Sequence, residues 1–183
     1  MSSPRSSSES LIEAVKAFTA PFYAQKDLMH DASHIERLIK AALELAEGYA
    51  VDREILLLGA WFHGLVQTDE AGIRSFLASQ GLAQARIEAS LAAAWDSQKE
   101  AVSGSLEGQI LHDAHLLEGG RTFLLVKCLV TGTARGQSLD ETLDYLENHS
   151  LGRFTCHLPE ARQRYAASET FAREVLAELR RQL

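Results

Sequence analysis

The sequence predicts an all-α protein, an irregular compact helical bundle, on three observations. Apolar residues recur at helical spacing along nearly the whole chain, with no convincing alternating run of strand type. Helix-starting residues and glycine or proline stops divide the chain into short, well-bounded segments. No fixed period recurs, so the segments make neither a solenoid nor a symmetric array. At 183 residues the chain has the length of one domain, and residues 9–183 are read as that domain behind a polar, serine-rich tail over residues 1–8.

The first helix is expected over Glu9–Thr19, stopped by Pro21, whose ring disfavours helical geometry in the residue before it. Ser33-His34-Ile35-Glu36 has the form of a capping box and opens a helix carrying Ile35, Leu38, Ile39, Ala42 and Ala46, which ends before Gly48. Asp52 caps the next, Arg53 to about Leu65, whose stretch from Ile55 to Phe62 is apolar on nearly all sides and belongs at the centre of the bundle. Trp61 and Phe62 are read as core aromatics. Further helices follow over Asp69–Ser79, Leu82–Ala94, Leu106–Glu118, Arg121–Val130, Leu139–His149 and Glu160–Arg180, with a second capping box at Ser138 to Glu141. The last of them carries Ala166, Phe171, Val175, Leu176 and Leu179 on a face that packs back on the bundle or across a homodimer.

Composition narrows the function classes. With 46% hydrophobic and 23% charged residues and only 3 prolines, the chain is globular rather than collagenous or disordered. A net charge of -7 disfavours a nucleic acid polymer or an anionic membrane as partner. The apolar stretch from Ile55 to Phe62 is far shorter than the ~20 residues of a membrane span, and the serine-rich start is unlike a secretory signal, so a soluble cytoplasmic protein is expected. The spacing of Cys128 and Cys156 matches neither a zinc finger nor a redox pair, so any metal site is not a thiolate site.

The chemical signal is a set of histidines. Five of the 7 fall in or beside three helices: His30 and His34, then His63, then His112 and His115. His34 shares a helix face with Leu38 and points inward. His63 ends the most apolar segment of the chain, an odd place for a polar ring unless something binds it. His112, His115 and Glu118 stand at intervals of three and are expected on one stripe, with Asp113 between the first two. Imidazoles brought together from separate helices can ligate a divalent transition metal, although a single helical histidine is more often an ordinary hydrogen-bonded residue. His149 and His157, at a helix end and in a loop, are read as structural. Arg37, one turn from His34, can reach a phosphate or form a surface salt bridge.

Three stretches carry a resemblance: His30 to Leu38, Leu58-Gly59-Ala60-Trp61-Phe62-His63-Gly64, and Leu106 to Glu118. In order, spacing and helical context the chain resembles the HD-domain superfamily of metal-dependent phosphohydrolases, particularly its small stand-alone bacterial members. The resemblance implies a helical fold of that type and a metal held by a histidine, a His-Asp doublet and a distal aspartate, activating water for attack on phosphorus. It places His34 and His63 at the two histidine positions. Gly64 stands where the doublet has aspartate, and His115 stands at the distal aspartate, with Asp113 at the first aspartate of that D-A-D segment. Gln67 and Thr68 replace downstream carboxylates, Asp69 and Glu70 coming later, and Arg121 lies near a later arginine of the family.

These substitutions leave three readings. The first is a divergent hydrolase of a nucleotide or other phosphate ester, with His34, His63 and His115 on zinc, iron or nickel, Asp113 as base or supporting partner, and Arg37, His30 and Glu118 toward the substrate. The second is a metal-free pseudo-enzyme that keeps the pocket for a small, phosphate-containing ligand or for protein interaction. The third is a three-histidine metal enzyme of oxygenase-like chemistry.

Overall fold

The computed structural model describes residues 7–98 and 103–183, and places nine helices among them. Residues 1–6 of the expected tail lie outside the described residues, whereas Ser7 and Ser8 already belong to the first helix. In order the helices are α1 (Ser7–Tyr23), α2 (Ala32–Leu45), α3 (Arg53–Phe62), α4 (Val66–Ser79), α5 (Gln84–Asp96), α6 (Leu106–Leu117), α7 (Phe123–Ala134), α8 (Leu139–His149) and α9 (Pro159–Gln182). No strand occurs among the described residues.

Helix α3 is the central element, packed against α1, α2, α5 and α6. Its core residues Leu56, Leu58, Ala60 and Phe62 are almost wholly buried. Gly59 makes that crowding possible: a Cβ there would stand 2.8 Å from Leu111 Cδ1 on α6 and 2.9 Å from Ala93 Cβ on α5. One apolar cluster joins α2, α3 and α6 to α9, and a second joins α1, α3, α4 and α5. A third, smaller cluster of Leu125, Leu143, Leu146, Ala172 and Leu176 holds α7, α8 and α9 together. The site described below lies where α2, the end of α3 and the end of α6 meet.

Three local expectations need correction. Helix α1 does not stop at Thr19 but runs through Pro21 to Tyr23. A proline in the last turn removes one backbone bond only. The continuation is held by the Tyr23 hydroxyl, which donates to the Trp61 carbonyl at 2.8 Å. Helix α2 is capped by Asp31, not Ser33: the Asp31 carboxylate accepts from the Ser33 amide at 2.9 Å and from its hydroxyl at 2.5 Å. A carboxylate cap satisfies a free amide and complements the positive end of the helix dipole, so it displaces the hydroxyl from that role. The helix expected over Arg121–Val130, with Gly132 to Gly136 as its stop, runs on to Ala134 as α7, and Gly132 does not end it. It lies inside the helix because a Cβ there would meet Thr142 Oγ1 at 2.2 Å, so it serves the crossing with α8, and the chain turns at Gly136 instead.

Other boundaries agree with the pattern. Asp52 caps α3 through the amides of Glu54 and Ile55, and Ser138 with Glu141 forms the expected capping box of α8. Asp69 is a kink within α4, and its carboxylate accepts from the Gly72 amide at 2.9 Å, which explains why the pattern starts a helix there.

Candidate three-histidine site

His34 comes from the first turn of α2, His63 is the C-cap of α3, and His115 lies in the last turn of α6. One ligating nitrogen from each stands within 4.8 Å of the others. The His63 and His115 rings are 4.4 Å apart between centroids, and His34 lies 5.5 Å from His63 and 5.4 Å from His115. His34 and His63 are buried, and His115 is half-buried.

The partners of the rings determine their tautomers. His34 Nδ1 is paired with Glu118 Oε2, and beside a carboxylate oxygen this is the nitrogen that carries the proton. His63 Nδ1 lies 2.6 Å from Ser97 Oγ, while the hydroxyl proton of Ser97 goes to the Ala94 carbonyl at 2.5 Å. The serine oxygen is therefore the acceptor. The Gln98 amide nitrogen donates to the carbonyls of His63 and Ala94, at 2.8 and 3.3 Å. His115 Nδ1 lies 3.3 Å from the Ser97 carbonyl, which can only accept. The carboxylate beside His34 and the carbonyl beside His115 place the proton of each of these rings on Nδ1 and the lone pair on Nε2, and the Ser97 contact suits the same tautomer in His63. That is the arrangement in which neighbouring acceptors orient imidazoles for a metal.

Electrostatics agree. Burial, partly opposed by the Glu118 carboxylate, holds His34 below the ordinary histidine range, so it stays neutral at pH 7. Burial would raise the Glu118 carboxyl, but the His34 hydrogen bond and the Lys127 ammonium outweigh it and leave the group below the usual carboxylate range. Lys127 Nζ reaches Glu118 Oε1 at 3.1 Å. Three neutral imidazoles suit zinc, iron or nickel and offer no oxygen donor to magnesium or manganese, so the donor set fits a borderline transition metal.

A cavity of about 430 Å³ opens on the three rings. Its wall includes His30, Gly64, Lys26, Lys127 and Arg135. His30 is held by Asp27, whose carboxylate lies 2.8 and 2.9 Å from Nδ1. Gly64 backs onto an aromatic wall: a Cβ there would stand 3.3 Å from Phe22 Cε1. The space where the family resemblance places a carboxylate is thus bounded by the Phe22 ring.

The remaining expected residues lie elsewhere. Glu118 faces His34 and is nearly inaccessible to solvent, so it positions a ring rather than meeting a substrate. Arg37 is not part of the cavity wall. Its guanidinium donates to Ser33 Oγ at 2.7 Å and stacks 4.9 Å from the Phe123 ring. The stripe of His112, His115 and Glu118 is split, because spacing of three turns each residue by about 60° around the helix. His112 instead joins Asp113 and His157. Asp113 is wholly buried and accepts from the backbone amides of His157 at 2.8 Å and Leu158 at 2.7 Å, anchoring the start of α9, with His112 Nδ1 at 2.8 Å. It holds the fold there and does not face the three histidines as a base. Glu70 pairs with Arg74 and Trp95, and Arg121 lies over the Phe171 ring.

Sequence reasoning missed Ser97, Lys26, Lys127 and Arg135. Lys127 does carry a signal, as a lone charge within the apolar run Phe123 to Val130. Ser97 carries none, because it meets His63 from 34 positions away.

No family profile and no curated protein matches the sequence. Solved structures do. An HD-superfamily hydrolase from Bacillus thuringiensis superposes with a TM-score of 0.72 at 18% identity, over 94% of this chain and 98% of that one. YpgQ from Bacillus subtilis gives 0.77 at 14% identity over 97% and 98% of the two chains, and its complex with ADP gives 0.74 at 15% over 94% and 97%. A protein from Lactobacillus plantarum gives 0.78 at 15% over 95% and 97%. Likeness that spans nearly the whole of each chain at such low identity establishes architecture: the protein has the helical fold of the HD-superfamily hydrolases.

Proposed function

We propose that the protein is a hydrolase of small phosphate esters that uses a single transition-metal ion held by His34, His63 and His115. The observation that carries this reading is the convergence of three histidine nitrogens from separate helices within 4.8 Å of one another, with each Nδ1 turned to an oxygen of the protein. When bound, such an ion would supply Lewis acidity and would lower the pKa of a coordinated water toward neutral. The protein contributes the rest. Glu118 and Ser97 hold the rings in register, and Lys26, Lys127 and Arg135 place positive charge around the cavity, where a phosphate's negative charge is offset. Gly64 and the Phe22 wall put no carboxylate at the position that the resemblance gives to the doublet's aspartate. The ADP complex of YpgQ, a protein of the same fold, supports a phosphate-bearing ligand.

Metal analysis of the protein purified without added metal, beside His63→Ala, tests this reading. About one equivalent of zinc, iron or nickel, lost in the variant, is expected, together with metal-dependent turnover in a screen of phosphate esters. Absence of metal even after reconstitution would leave the pocket as a binding module. Metal without turnover on any ester would remove the hydrolase assignment.

A further inference from the structure

Beside the three-histidine cavity lies a second cleft of about 170 Å³, walled by α7, α8 and the segment leading to α9. The two hollows share His30, Lys127 and Arg135, so a single molecule can run from one into the other past two cations. The far walls of the cleft change character. Leu124 and Phe154 present apolar surface, and Tyr145 leans on the His149 ring at 5.2 Å with the two planes 36° apart.

From these features we infer that the cleft is a second subsite, taking the organic part of the substrate as one flat ring. The inference rests on the phosphate-ester reading above and adds the class of alcohol or phenol that the phosphate is attached to. Size sets the limit. An apolar cavity of ~150 Å³ admits benzene, so a cleft of about 170 Å³ has room for a single six-membered ring. The phosphate stays beside Lys127 and Arg135, and the ring lies among Leu124, Phe154 and Tyr145.

Calorimetric titration of the full-length protein with phenylphosphonate and with methylphosphonate tests this without requiring turnover. The phenyl compound is expected to bind about tenfold or more tightly, from the apolar area its ring buries. Cys128→Phe, which fills the cleft, should erase that advantage and leave methylphosphonate binding unchanged. Tyr145→Ala, at a position exposed enough to spare the fold, should reduce it at least threefold. Equal affinities for the two compounds in the unaltered protein would overturn the ring subsite while the phosphate reading stands. Binding of neither would overturn both.

Discussion

Ser97 shows how much of the site depends on one small side chain. Its hydroxyl accepts from His63 and its carbonyl from His115, so two of the three rings take their orientation from a single residue at the end of α5. Removing the hydroxyl leaves the His63 Nδ1 proton without its acceptor and frees the ring to turn. Ser97→Ala is expected to weaken metal affinity by ~10–100-fold, the usual effect of losing such a partner, with Ser97→Thr restoring most of it. A competition titration with a chromophoric chelator measures this, and an unchanged affinity in Ser97→Ala would show that the serine is not the orienting group. Glu118 plays the same part for His34. The histidines themselves were legible in the sequence because a polar ring at the end of an apolar helix is conspicuous. Their supports were not, because serines and lysines are common everywhere and only the folded chain brings these ones to the rings.

At the scale of elements, α3 carries the packing and Asp52 holds its start. The Asp52 carboxylate caps two amides and also pairs with Arg86 on α5, which lies 2.9 and 3.1 Å away. The Arg86 hydrogen bonds outweigh the opposing effect of burial and hold this carboxyl below its usual range. A depressed carboxyl stabilises the fold above the unfolded-state value near pH ~4, and that contribution is lost as pH falls through the folded-state value. Asp52→Ala should therefore cost about 1 kcal/mol near neutrality, as lost N-caps do, and distinctly less at pH 3. Denaturant titrations at the two pH values check it; an equal cost at both would mean that the charge contributes nothing. Helices bounded by such caps could be read from the chain. Pro21 and Gly132 misled because each is a local breaker overruled by a distant contact, Tyr23 on Trp61 in one case and the crossing over Thr142 in the other.

For the whole molecule, the three ligating rings come from α2, the end of α3 and α6, so an ion there would add a tie between helices that already meet through the apolar core. A metal that binds the folded state alone adds ~2.7 kcal/mol at a hundred times its dissociation constant. For a chain of this length that corresponds to a rise in Tm of roughly 5–10 °C. Thermal denaturation with and without zinc should show this rise in the native sequence and not in His63→Ala; a zinc shift that survives the substitution would place the ion elsewhere. The all-helical architecture was legible from periodicity alone, whereas the shape of the cavity was not, since it depends on how α7 is set against α2 and α6. Lys127 gives that setting a thermodynamic consequence. Its ammonium lines both hollows while bonded to Glu118, which in turn holds His34. An anion that draws Lys127 toward itself leaves more of the Glu118 charge to His34 and makes that ring a stronger electron donor. Occupancy by anion and by ion is then cooperative, and by reciprocity each tightens the other by the same factor.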